Sequence, residues 1–138
     1  MTRSDFHAFL CQHRLAVLST VRDGAPQAAL VGIAVTDSLE IMFDTVAGSR
    51  KCANLLADPR VALVAGWDYG QTVQVEGTAD LIARKELAAY KEIYFAVWPD
   101  GRERERWPDI AYVRVRPRWL RFSDYGMAPP RIEELTLR

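Results

Sequence analysis

From Thr72 to Leu81 the chain alternates without a break. Val73, Val75, Gly77, Ala79 and Leu81 are apolar or small, and Thr72, Gln74, Glu76, Thr78 and Asp80 are polar. A period of two is that of a pleated strand, whose successive side chains point to opposite faces. The stretch therefore commits the chain to a sheet with one face in a core and one face polar.

Other strand-like runs surround it. Residues 15–21 lead through Arg22-Asp23-Gly24-Ala25-Pro26, whose Asp-Gly pair is hairpin turn chemistry. Residues 27–35 are apolar almost throughout, as expected where both faces of a strand are covered. Thr36-Asp37-Ser38 turns the chain into a run over residues 39–43, and these three strands read as a meander. Residues 61–67 form a fourth run, Asp68-Tyr69-Gly70-Gln71 is a turn, and the alternating stretch is the fifth strand. Residues 110–115 and 119–122 give one long strand or two, bent at Pro117. Helices are few. Thr2 or Ser4 caps a first helix running to about His13, with Phe6, Phe9 and Leu10 on one face. Residues 52–57 form a short helix that ends near Asp58-Pro59, because proline disfavours helix at the residue before it. Arg84 to about Val97 forms a third, stopped by Trp98-Pro99-Asp100-Gly101. Residues 102–109 read as a charged, solvated connection, and the tail from Asp124 onward, with Pro129-Pro130, as irregular. About six strands joined mostly by short turns predict a mainly β fold, an antiparallel barrel or sandwich rather than a doubly wound parallel sheet. No GxGxxG follows the first strand, so a Rossmann site is not supported.

The 138 residues suit a single domain over positions 1–138. With 18 basic and 18 acidic residues the formal net charge is zero, which gives no global reason to expect nucleic acid or an anionic membrane. Any anion binding must be local. No apolar run is long enough to span a bilayer, and Cys11 and Cys52 form no CxxC pair. These features lead us to expect a reducing, cytoplasmic setting.

The stretch Asp44-Thr45-Val46-Ala47-Gly48-Ser49-Arg50-Lys51 has the order strand, small polar loop, helix start. The first N–H groups of a helix lack partners and the dipole is positive there, so this order makes an anion site. Arg50 and Lys51 fall in the first turn, where the dipole disfavours cations, and a bound anion reverses that penalty. One reading has the Thr45 and Ser49 hydroxyls, both cations and the helix N–H groups holding a cofactor phosphate. In the other, Ser49 is an N-cap and the cations are solvated. Gln71, Thr72 and Gln74, at the entry to the fifth strand, carry side chains able to hydrogen-bond a flat heterocycle, or are ordinary solvent-facing residues. Trp119 and Tyr125 are candidates for lining a planar ligand. His7 and His13 have no metal-ligand spacing, and no GxSxG, HExxH or Cys/His nucleophile signature is present. We name no catalytic residue.

The order of helix, Leu15-Ala16-Val17-Leu18-Ser19-Thr20-Val21, Asp23-Gly24, apolar strand, Asp44-Thr45 with Gly48-Ser49-Arg50-Lys51, Asp58-Pro59-Arg60-Val61-Ala62-Leu63 and Val73-Gln74-Val75-Glu76-Gly77-Thr78-Ala79 resembles the pyridoxamine 5′-phosphate oxidase-like family of FMN-binding split barrels, from about Phe9 to Tyr125. The resemblance implies a six-stranded antiparallel split barrel that forms a homodimer, with FMN at the subunit interface and a small-molecule substrate. It implies that Thr45, Ser49, Arg50 and Lys51 lie at the phosphate, and that Asp44 contacts the flavin from the same strand end. It also implies that the backbone of Ala29, Leu30 and Val31 runs along the isoalloxazine ring. Gln71 or Thr72 falls where a polar side chain reaches FMN; the vitamin-forming oxidase has a glutamine where Thr72 aligns. That oxidase also carries a basic motif of arginine and histidine near its C-terminus, whereas residues 127–134 here hold one arginine and no histidine. The resemblance implies one alternative on the same fold, a reductase using a deazaflavin coenzyme; a second alternative, from another class, is a non-catalytic flavin- or haem-binding protein.

Overall fold

The computed structural model describes residues 1–138. Its first half runs α1 (Arg3–Gln12), β1 (Leu15–Arg22), β2 (Ala25–Gly32), β3 (Ala34–Val35), β4 (Ile41–Val46), α2 (Arg50–Ala57) and β5 (Arg60–Ala65). A 3-10 turn at Asp68–Gly70 follows, then β6 (Gln71–Leu81), α3 (Arg84–Val97), α4 (Gly101–Arg104), β7 (Ile110–Asp124) and β8 (Arg131–Thr136). No helix is long and apolar enough to cross a membrane.

All strand pairs are antiparallel, in the order β2-β1-β5-β6-β7-β4-β3, with β8 on the far half of β7. The two edge strands, β2 and β3, are consecutive in the chain and separated only by Ile33. The sheet therefore curls back on itself into a split barrel. Local chemistry sets its corners. Asp23 and Gly24 both have positive φ, 52° and 79°, the geometry of a tight hairpin whose twist matches the strands. Thr2 caps α1 in a reciprocal capping box with Asp5. Phe6 and Leu10 of that helix are buried in the barrel's core of 22 residues, alongside Leu18, Phe43, Val75 and Leu120.

The long β7 is one strand. Residues 110–115 pair with β4 and residues 119–124 with β8, while nearly its whole length pairs with β6. The bend foreseen at Pro117 is a bulge: Glu76 pairs with Trp119 and Gly77 with Pro117, leaving Arg118 as the extra residue. A Cβ at position 77 would lie 2.2 Å from the Arg116 carbonyl oxygen, so the bulge closes only on glycine. The alternation of β6 is realised, with Val73, Val75, Gly77 and Ala79 buried, but Leu81 emerges from the core at 37% exposure.

Four expectations need correcting. The strand expected over 39–43 starts at Ile41 and continues to Val46, because Asp44, Thr45 and Val46 pair with Tyr112, Ala111 and Ile110; Leu39, at φ 68°, belongs to the turn. The apolar second strand is not covered on both faces by its own chain, since Leu30 is 61% exposed. The tail is not irregular, because Arg131–Thr136 adds a strand beside β7, with Leu135 and Leu137 packing on the core. The charged connection is not wholly solvated either. Arg104 turns inward, and a second layer of Met42, Tyr94, Phe95 and Tyr112 lies between α3 and the sheet.

Candidate functional site

The first turn of α2 is built as its sequence suggests. Ser49 is the N-cap, in extended conformation, and its Oγ accepts from the Cys52 N–H at 3.3 Å. Its hydroxyl also lies 3.1 Å from that of Thr45 at the end of β4, which ties the cap to the barrel. The backbone N–H groups of Arg50 and Lys51 make no hydrogen bond within the protein, as the first groups of a helix do not. Neither side chain enters an ion pair. Two cations and two free N–H groups thus meet at the positive end of a helix with no protein anion to offset them.

They form the rim of a cleft of about 110 Å³ between α2 and the β1–β2 hairpin. Its floor is Leu18 and Thr20 from β1 with Gln27, Ala28 and Ala29 from β2. Thr20 pairs with Gln27 and Leu18 with Ala29 across the hairpin, so these four share one face. Asn54, one turn into α2 and 1% exposed, closes the back. Its Nδ2 donates to Thr20 Oγ1 at 3.0 Å and to Gln27 Oε1 at 2.7 Å. A buried amide costs roughly 1–3 kcal/mol when unpaired, and these two bonds fix where it sits. No local motif marks Thr20, Gln27 or Asn54. The signal was an amide between Cys52 and Leu55 on the buried side of a short helix.

The other expected residues divide into three groups. Ala29, Arg50 and Lys51 line the cleft, and Thr45 and Ser49 support its rim. Leu30 and Val31 continue β2 beyond it, Leu30 pointing outward and Val31 into the core. Because β2 pairs only with β1, its other edge offers backbone N–H and C=O groups to a ligand alongside.

Asp44 faces away from the cleft. Strand alternation puts it on the opposite side of β4 from Thr45, where Tyr94 Oη donates to its Oδ1 at 3.1 Å and Arg104 Nε to its Oδ2 at 2.7 Å. Burial, then the Asp44 charge, raise the Tyr94 phenol above its ordinary range. Burial, then the Asp44 and Glu105 charges, push Tyr112 up to about 12. These groups knit α3 and α4 to the barrel; within this chain the Asp44 carboxylate is not directed at the cleft.

Gln71 and Thr72 are also remote. Three strand steps separate β2 from β6, about 14 Å at the usual spacing. Along the strands, Val73 pairs with Ala65 and Ala65 with Ala16, four residues from Thr20, or about 13 Å. Gln71 Nε2 donates to Asp124 Oδ2 at 3.1 Å, and Asp124 Oδ1 accepts from the Gly126 N–H. Both residues thus stand at the other end of the barrel.

Residues 3–124 match the family described as pyridoxamine 5′-phosphate oxidase. A pyridoxine/pyridoxamine 5′-phosphate oxidase from Rubrobacter xylanophilus is 36% identical over 102 residues, which is 72% of this chain and 45% of that protein. The chain spans about half the length of the curated relatives it matches. Among solved structures, a heme binding protein from Mycobacterium smegmatis superposes with a TM-score of 0.84 at 18% identity, covering 97% of this chain and 57% of that one. A pyridoxamine 5′-phosphate oxidase-related, FMN binding protein from Nostoc punctiforme gives 0.68 at 13% identity, covering 91% and 87%. At such identities the superpositions speak for the fold alone. The match over residues 3–124, together with the split barrel and the Ser49-Arg50-Lys51 helix start, shows that this chain belongs to the pyridoxamine 5′-phosphate oxidase-like family.

Proposed function

We propose that this protein is an FMN-dependent oxidoreductase acting on a small organic molecule, as a cytoplasmic homodimer. One observation carries the reading: Arg50, Lys51 and two free helix N–H groups, all without a protein anion, border a cleft whose floor runs into the open edge of β2. The residues present fit the cofactor. Its phosphate meets donors only, Arg50 offering a fork and Lys51 a point charge. Ala29, Leu30 and Val31 would flank its ring, with the outward backbone groups of Leu30 free to meet an imide or carbonyl edge, since Ala29 and Val31 pair with Leu18 and Ala16 of β1. Bound FMN supplies the electron-transfer chemistry. The chain's own residues bind the phosphate, orient the ring against β2 and exclude water from one side of it.

The small volume of the cleft supports the dimer. Sites that enclose a cofactor run to roughly 300–1,000 Å³, whereas this cleft offers about 110 Å³, which suits the phosphate end and leaves the ring outside. A second copy covers it. Leu30 is 61% exposed on the outer face of β2, and Val17, its cross-strand partner, adjoins Val64. Val17 and Val64 line, with Ala62 and Trp119, an open groove across the sheet, and Leu30 stands beside it as the cross-strand partner of Val17; such a patch marks a contact surface. Gln71 and Thr72, too distant to serve the cleft of their own chain, serve that of the other copy.

The test is an absorbance spectrum of the purified protein, followed by parallel titrations with FMN and with a deazaflavin coenzyme. FMN is expected to bind at micromolar concentration or tighter, with the spectral shifts of an ordered flavin. A colourless protein that fails to bind FMN in that range overturns the proposal, and a clear preference for the deazaflavin reassigns the cofactor.

A further inference from the structure

The floor of the cleft carries a device that the two cations do not explain. Asn54 is 1% exposed and Thr20 is 2% exposed. The Asn54 amide spends both protons inside the protein, one on Thr20 Oγ1 at 3.0 Å and one on Gln27 Oε1 at 2.7 Å. A glutamine whose oxygen is held in this way has one free end. Gln27 Nε2 has no partner in the protein, and the residue lines the cleft with Arg50 and Lys51. The free groups beside Arg50 are then donors, namely the Gln27 amide, the two cations and the two free N–H groups, with no carboxylate among the lining residues and the Asn54 and Thr20 oxygens set at the back. Such a set matches a group that only accepts, a phosphomonoester.

We propose that Gln27 is a direct phosphate-contacting residue, its amide oriented by Asn54 and Thr20, and that it sets the cleft's preference for a phosphorylated ligand over its dephosphorylated form. This rests on the cofactor reading above and deepens it. Asn54 is the positioning residue: it reaches the ligand only through Gln27. Packing alone gives no reason for it, because a leucine-like side chain there would fill the back of the cleft without burying an amide.

The experiment compares the full chain with Gln27→Ala, Asn54→Ala and the double variant, using FMN, riboflavin and inorganic phosphate as probes. Loss of one charge-assisted hydrogen bond is expected to weaken FMN about tenfold in Gln27→Ala, with riboflavin affinity unchanged. Asn54→Ala is expected to lower the same FMN-to-riboflavin ratio, and the double variant to be no worse than Gln27→Ala, because both act through one contact. A purely structural Asn54 would weaken both flavins alike and add to the effect of Gln27→Ala. An unchanged ratio in Gln27→Ala, or additive effects in the double variant, overturns the proposal. If the wild type binds neither flavin, the cofactor reading fails, and inorganic phosphate decides this one separately. Saturable thermal protection of the wild type that Gln27→Ala loses sustains the contact; no protection, or equal protection in both, rejects it.

Discussion

Reversing both cations, Arg50→Glu with Lys51→Glu, moves two properties in opposite directions. In the ligand-free protein the two side chains sit at the positive end of α2 with no ion-pair partner. A cation there is disfavoured and an anion favoured, each by roughly 0.3–1 kcal/mol at an exposed site. Arg50 is exposed and Lys51 half-buried, so screening keeps the gain near the lower end and the shorter glutamate gives up some stem packing. The net expectation is a ligand-free protein more stable by about 1 kcal/mol, a rise in Tm of about 4 °C for a chain of this size. FMN binding moves the other way. Each charge-assisted hydrogen bond contributes about 1.5–3 kcal/mol; losing two at the lower end costs about 3 kcal/mol, or about two orders of magnitude in Kd, before repulsion is counted. Thermal denaturation without ligand and fluorescence titration with FMN read the two quantities. Unchanged FMN affinity means the phosphate is held elsewhere. A ligand-free variant less stable than the wild type refutes the claim that these cations are held against the helix dipole.

Other perturbations test the frame. Gly77→Ala forces a Cβ against the Arg116 carbonyl at 2.2 Å and is expected to cost about 1–3 kcal/mol in urea unfolding, whereas Gly48→Ala, with nothing within 4 Å of the added carbon, is expected to change little. Arg114 is 3% exposed and donates to Asp80, Glu86 and the Tyr90 hydroxyl; Arg114→Ala is expected to cost ~2–3 kcal/mol, below the range for a fully buried pair because the carboxylates are partly solvated. Burial alone would raise the Asp80 pKa, but the hydrogen bonds and charge of Arg114, with Arg116, outweigh it and hold it below 3.8. A carboxylate with a depressed folded pKa stabilises above its unfolded pKa and loses that contribution as pH falls through the folded value. The deficit of Asp80→Asn at pH 7 is therefore expected to shrink on acidification below about pH 4, as read by urea midpoints across pH. Leu30→Asp, on the exposed face of β2, is expected to give a monomer in sedimentation and to weaken FMN binding without loss of fold.

Much of the frame was legible in the residues. The strict alternation of Thr72–Ala79, the Asp23-Gly24 hairpin, the caps at Thr2 and Ser49 and the stop at Asp58-Pro59 all depend on neighbours a few positions apart, and each is present. Half of the candidate site was legible for the same reason, since a strand end, a cap and two cations in one helical turn form a local unit. The β8 strand escaped notice because Pro129-Pro130 masks the run after it, and pairing with β7 decides its conformation. Arg104 read as one more surface charge because its partner, Asp44, lies 60 positions away.

Local residue order dictates the secondary structure period, the turns and the positive, partnerless start of α2, because periodicity, capping and the helix dipole act over single turns. The tertiary structure alone decided which surfaces meet. It set Asn54 against Thr20, 34 positions away, and so made a cleft beside a helix end. It put the Asp44 carboxylate on the α3 side of β4, facing Tyr94 and Arg104. It also put Gln71 and Thr72 at the far end of the barrel, because β6 is three strands from β2 in a sheet whose order no local rule specifies. Those placements follow from closing one curled sheet around a shared core, a condition on the whole chain at once.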